Sequence, residues 1–371
     1  MKAKALQSGK AISAALFVLL LSVAGLKNAL GQNLVATLQH GNNISTYYGS
    51  NAFVQAHDAA QTGDIITLSS GSFNPTTITK AITLRGAGCC MDSVTGIYPT
   101  VFEEGNSYYD LTANISDEEH SLTMEGIWVK TSFRFGILNN PKFIKCHFQN
   151  FSASYPSQMQ NAQFIDCMIS ITNGAFVWNN GSSVSVYATN TQFTNCYVDI
   201  SCDNCLDETH VAFSNSIVKP ERYYQGYYSY NNSISGVLAE NCIFIGDNYY
   251  NYEFSVSSSL FYNCVSVHLS NFFDSQMNTT NIEMDNFSDV FDTYDGSNIS
   301  FYDPIYERFI LKSSFATSFL GNDGTEVGIH GGLAPYNPRP NYMVLKQCNV
   351  ANQSTVDGKL SVEIQVVAEG E

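Results

Sequence analysis

The chain has 371 residues, 13% of them charged, 13% aromatic and 44% hydrophobic, with 33 acids against 17 Lys and Arg and a formal charge of −16. That balance argues against a nucleic-acid partner, whose binding depends on Lys and Arg neutralising phosphates. It also disfavours an anionic polysaccharide unless a local basic patch overrides the field. Scarce charge beside abundant Asn, Ser, Thr, Tyr and Phe suits β-structure far better than helix.

Residues 1–31 read as a secretory signal peptide. Lys2, Lys4 and Lys10 precede the apolar run AISAALFVLLLSVAGL, and Ala29 to Gly31 place small residues at the cleavage positions. The run is shorter than the ~20 residues a bilayer requires. No later segment is long and apolar enough to span a membrane, so no transmembrane segment is expected in the mature chain, and no Cys follows the cleavage site to carry a lipid. The expected location is extracellular, cell-surface or periplasmic. Removing these residues takes away four Lys and no acid, leaving 13 − 33 = −20.

Ser50 is placed to N-cap a helix carrying Phe53, Ala56 and Ala60, which would plug one open end of a β-fold. Acids then cluster at Glu103, Glu104 and Asp110 and again at Asp117, Glu118 and Glu119. Lys130, Arg134, Lys142 and Lys145 form the densest basic run of the mature chain. A uronic-acid lyase needs cations, or Ca²⁺ held by carboxylates, to neutralise the sugar acid, together with a Lys or Arg base. A hydrolase needs two carboxylates about 5 to 9 Å apart. On that reading Glu103, Asp117, Lys130 and Arg134 are the candidate catalytic residues. The sequence holds no paired-Asp strand motif, no NTDG-like string and no Arg-Pro-Arg pattern, and solvated loops at an edge account for the same charges.

A repeated phrase follows. Aligned on its Cys it reads FIKCHF at Cys146, FIDCMI at Cys167, FTNCYV at Cys196, FSNSIV at Ser216, AENCIF at Cys242 and FYNCVS at Cys264, at intervals of 21, 29, 20, 26 and 22 residues. Upstream, Gly126 lies twenty residues before Cys146 and Gly86 forty before Gly126. A unit of this length signals a solenoid. Its apolar residues alternate as in a strand with one buried face, and no helical stretch separates the copies. What remains is an all-β parallel β-helix of about ten coils, each stacked on the last at about 4.8 Å. Phe then stacks on Phe, and the residue before the Cys sits at a bend, where Asn tolerates an unusual backbone angle. Intervals beyond about 22 residues mark inserted loops, the usual carriers of function.

The five repeat cysteines read as a stack of thiols in the core, because Ser216 takes the same place without disturbing the pattern. CDNCLDETH (Cys202, Cys205, Asp207, His210) has metal-like spacing but no second close pair. Metal, a short disulfide and a plain corner all remain open there, and no metal or cofactor is called for. Spacing leaves the state of Cys89, Cys90, Cys202, Cys205 and Cys348 undetermined. Aromatics make a sharper pattern. Tyr223, Tyr224, Tyr227, Tyr228 and Tyr230 are followed by Tyr249, Tyr250 and Tyr252, and both Tyr228 to Tyr250 and Tyr230 to Tyr252 span 22 residues, one coil. Stacked into one strip amid Asn and Gln, these rings suit sugar faces. Ordinary Tyr-rich β surface is the simpler explanation of the same residues.

The stretch AFVQAHDAAQTGDIITLSSGSFNPTTITKAITLRGAG, Ala52 to Gly88, resembles the opening of secreted bacterial pectate-lyase-like right-handed β-helix proteins. FILKSSFATSFLGNDGTEVGIHGG, Phe309 to Gly332, is similar to their closing turn. The resemblance implies a β-helix over residues 32–332, with 333–371 as a short C-terminal strand appendage. It implies no activity, since this architecture hosts lyases, hydrolases, adhesins and inert scaffolds. The expectation is a non-catalytic exported protein that engages a neutral glycan or another cell-surface component. The alternatives are a polysaccharide lyase or glycoside hydrolase, and a pure scaffold.

Overall fold

A computed structural model describes residues 34–91, 97–103, 110–171, 187–200, 210–220, 233–246, 255–269, 271–273, 280–297, 299, 305–339, 343–350 and 362–368. Among them the chain is predominantly β, with two long, mostly parallel sheets of 11 and 13 strands and few helices. The arrangement is compatible with a β-helix-like fold. Each copy of the repeated phrase gives one strand to each sheet. Gln163–Ile165 enters the first sheet and Met168–Ile171 the second. The next copy supplies Thr191–Thr194 and Tyr197–Ile200, and the one after it Val211–Ser214 and Ile217–Pro220.

The register is the one the alignment predicts. Phe143, Phe164, Phe193 and Phe213 are successive direct partners in the first sheet. Their buried rings stack at centroid separations of 4.8, 4.8 and 5.0 Å. The residue before each Cys is in the left-handed region: Lys145 at φ 51°, Asp166 at 53°, Asn195 at 51°, Asn215 at 46°, Asn241 at 56° and Asn263 at 50°. Asn visits that region more readily than most L-residues. Gly86, one of the upstream glycines, has no room for a side chain, since a Cβ there would lie 2.4 Å from the Gly126 carbonyl oxygen.

The repeat cysteines carry thiols and are buried. Their role goes beyond size. Each thiol donates to the carbonyl two residues earlier, at 3.3 Å for Cys146, Cys167 and Cys264 and 3.2 Å for Cys196 and Cys242. Ser216 makes the same bond through its hydroxyl at 2.8 Å, which explains why Ser can stand in.

The helix Ala52–Ala59 buries Phe53 and Ala56, and the Phe53 ring meets Phe102 at 4.9 Å. Its N-cap position belongs to Asn51 rather than the expected Ser50, and no side chain caps it.

The C-terminal part doubles back over the repeats. Short helical turns at Phe287–Val290, Ile305–Arg308, Ser313–Ser318 and Gly328–His330 bring Phe287, Phe291, Phe309, Leu311, Phe315 and Ile329 together. These cover Met168, Tyr197, Ile217, Ile243 and Val265, the residues that immediately follow the repeat Cys or Ser in every copy after the first. Those five are consecutive partners in the second sheet and face away from the Phe core. The segment then climbs the ladder of left-handed residues towards earlier copies. Asn263 donates to the Leu320 carbonyl at 3.3 Å and Asn241 to the Asn322 side chain at 3.0 Å. Asn195 donates to the Ala334 carbonyl, and Lys145 to the Arg339 carbonyl at 2.7 Å. These contacts continue past Gly332. An antiparallel strand pair, Met343–Val350 with Val362–Ala368, follows. Among the described residues no helix is long and apolar enough to cross a membrane.

Candidate functional site

The candidate site lies at the earlier end of the same outward face. In the strand Ile127–Asn139, Ile127 and Val129 point into the core, so Trp128 and Lys130 point out. Trp128 is the direct partner of Val101 on one side and His147 on the other. The Trp128 and His147 rings lie parallel, 5.2 Å apart and 7° from coplanar. His147 occupies the position after Cys146, where later copies carry Met, Tyr, Ile, Ile and Val. Burial pushes its imidazole down to about 3, so the ring is neutral at ordinary pH.

Charge flanks this pair. Lys130 Nζ lies 2.6 Å from Glu103 Oε2 and 5.8 Å from the Trp128 ring centre. Ser72 donates to the other Glu103 oxygen at 2.6 Å. The Lys130 ammonium and then the Ser72 hydroxyl hold the Glu103 carboxyl below its usual range. Further along the strand Arg134 Nε pairs with Asp110 at 2.7 Å. Asp117 is engaged locally. It accepts from the backbone N–H of His120 at 3.0 Å and of Glu119 at 2.9 Å, and these bonds, that of His120 first, hold its carboxyl low.

Of the four sequence candidates, Glu103 and Lys130 therefore meet, Arg134 lies four residues along the same strand, and Asp117 sits in its own turn. A general acid needs a carboxyl raised towards neutrality, whereas Glu103 is held ionised against a cation. The chemistry on offer is an aromatic platform bordered by charge pairs that neutralise themselves.

Tyr223, Tyr224, Tyr227, Tyr228, Tyr230, Tyr249, Tyr250 and Tyr252 lie outside the described residues, as do Cys202, Cys205 and Asp207. The strands that follow the two tyrosine clusters, Ser233–Ser235 and Ser255–Ser257, pair in parallel with Ser233 opposite Ser255, an offset of 22 residues. Among the described residues no group of three or more His, Cys, Asp or Glu is placed to hold a metal ion. Sequence reasoning missed Trp128 and His147. The signal was present, because the residue after the repeat Cys is polar only in the first copy.

In comparisons with known proteins, no family profile, no curated protein and no solved structure matches the chain.

Proposed function

We propose that this chain is an exported, right-handed parallel β-helix of about ten coils, plugged at its start by the helix Ala52–Ala59, which engages glycans on an extracellular or cell surface without catalysis. The observation that carries this reading is the half-buried Trp128 ring, stacked on the buried His147 and bordered by the Glu103–Lys130 and Asp110–Arg134 pairs. An aromatic face with polar groups at its rim is sugar-binding chemistry, and Glu103, held ionised by Lys130, is not tuned as a general acid. A net charge of −20 after removal of residues 1–31 favours a neutral or weakly charged glycan. The 22-residue spacing of Tyr228 and Tyr250 supports a second, separate aromatic strip as part of the same reading.

The test is a glycan array with the wild type, Trp128→Ala, and the double variant Tyr228→Ala with Tyr250→Ala. Loss of binding in the variants, with melting lowered by no more than about 2–4 °C, supports the reading, and equal binding by all three rejects it. A polysaccharide lyase or glycoside hydrolase is the second reading, favoured by Glu103 and Lys130 meeting beside an aromatic ring. New reducing ends released from an array hit, and lost in Lys130→Met, would establish it.

A further inference from the structure

Cys89 and Cys90 stand apart from the other described cysteines. The repeat thiols are wholly buried in the core. Cys90 is exposed, while its neighbour Cys89 is buried against the C-terminal segment, with its sulfur 3.9 Å from the Pro338 carbonyl oxygen. The two adjacent side chains also hydrogen-bond to each other, so their sulfurs lie within mutual reach. Burial keeps Cys89 from an incoming disulfide, so the exposed Cys90 is the thiol that such a molecule meets first. Lys145, itself buried and with its ammonium pushed down by that burial, interacts electrostatically with Cys89 and donates to the next residue of the same segment, Arg339.

We propose that Cys89 and Cys90 form a thiol–disulfide exchange site that closes to a vicinal disulfide, with Cys90 as entry thiol and Cys89 as resolving thiol. The oxidant is a small-molecule or protein disulfide. The Cys90 thiolate attacks one of its sulfurs, a Cys90–S–S–R bond forms, and the first RS⁻ leaves with the proton Cys90 gave up. Cys89 then attacks the Cys90 sulfur, the bond to R breaks, and the second RS⁻ leaves with the Cys89 proton. One disulfide is reduced to two thiols and the protein dithiol is oxidised. Exposure selects Cys90 as the entry point, and adjacency makes Cys89 the group that resolves the mixed disulfide. Closing the ring draws the Cys89 sulfur away from Pro338 and loosens the end of the C-terminal segment. Use of the site in the cell rests on the proposed export, since disulfides persist in oxidising compartments, but its chemistry does not.

The reduced full chain is incubated with glutathione disulfide, then alkylated and mapped by mass spectrometry. The wild type is expected to lose two hydrogens at Cys89–Cys90 and to keep no glutathione. Cys89→Ser should stop at a Cys90–glutathione adduct, and Cys90→Ser should leave Cys89 as a thiol. A wild type that keeps glutathione on Cys90, or that leaves both thiols open to alkylation, overturns the proposal. Melting of both variants checks the fold. If Cys89→Ser melts early, the wild-type end point and Cys90→Ser still decide. Deuterium uptake over residues 334–339 should rise in the oxidised form, and unchanged uptake rejects the link to the C-terminal segment. Because the readout is covalent and needs no glycan, failure here is distinguishable from failure of the glycan reading.

Discussion

The outward column of the second sheet has two halves that the backbone treats alike and the side chains do not. Val101, Trp128 and His147 occupy it in the earlier copies, and Met168, Tyr197, Ile217, Ile243 and Val265 continue it in direct register. The aliphatic half is covered by Phe287, Phe309, Ile329 and their neighbours. The aromatic half carries ion pairs at its margin and leaves Trp128 half-buried. An open apolar face as long as the later half would invite association. The chain covers it with its own C-terminal segment and leaves the platform outside that apolar cluster.

The largest expected effect comes from uncovering the later half. Phe309 is buried, stacked on Tyr197 at 5.5 Å and set against Tyr294 at 4.8 Å. Phe309→Ala should cost about 3–5 kcal/mol in urea denaturation, the usual range for a buried Phe. Trp128→Ala should cost about 1 kcal/mol, and equal losses at the two sites would erase the contrast.

The two asparagine ladders offer a second, smaller comparison. Asn241 is buried, donates to Asn322 and accepts from the Asn322 backbone at 2.9 Å, and its carbonyl accepts from Gly328 at 2.8 Å. In the exposed ladder the side chains bond to one another, Asn161 donating to Asn140 at 2.9 Å and Asn190 to Asn161 at 3.2 Å. Asn241→Ala should lose about 2–3 kcal/mol, combining buried hydrogen bonds with a left-handed backbone that Ala resists. Asn161→Ala should lose about 1 kcal/mol from the backbone alone. Reversal of that order, read from chemical melts, would mean the C-terminal segment contributes little through the ladder.

Stability against pH separates the halves in another way. Burial lowers His147, under the platform, from 6.5 to about 3, so its contribution is full above pH 6.5 and lost as the pH falls towards 3. Burial raises Asp166, under the C-terminal segment, from 3.8 to about 7 against the pull of Lys145, the Asn337 backbone and Asn195. Its contribution is full below pH 3.8 and lost as the pH rises through 7. Between pH 3.8 and 6.5 the two slopes oppose each other, one proton each way. Melting of Asp166→Asn should therefore rise with pH across that window, and melting of His147→Gln should fall. Parallel profiles for the two variants would show that one of these burials is wrong. The smallest effect is that of reductant, which should move Tm by less than about 2 °C, because the described thiols close no loop of the chain.

Much of the fold was legible because a stacked repeat is translational. A residue at one position lies over its counterpart, so the alignment on Cys146 to Cys264 already states the register of Phe143, Phe164, Phe193 and Phe213 and the left-handed bend before each Cys. The site was legible only in pieces. Glu103 and Lys130 are 27 residues apart in the chain, and nothing local announces that they share an ion pair. Trp128 and His147 fall outside the sequence candidates because alternation alone does not say which of two neighbouring strand residues faces outward.

From sequence alone, then, came the period, the alternation, the Phe core and the Asn bends, all set by neighbours one repeat apart. The tertiary structure alone decided which outward residues are covered, where Lys145 and Asp166 lose their water, and that Cys89 meets Pro338 across 249 residues. Those outcomes depend on where a distant, non-repeating segment returns, and burial, the cause of the shifted pKa values, is a property of that return and not of any local phrase.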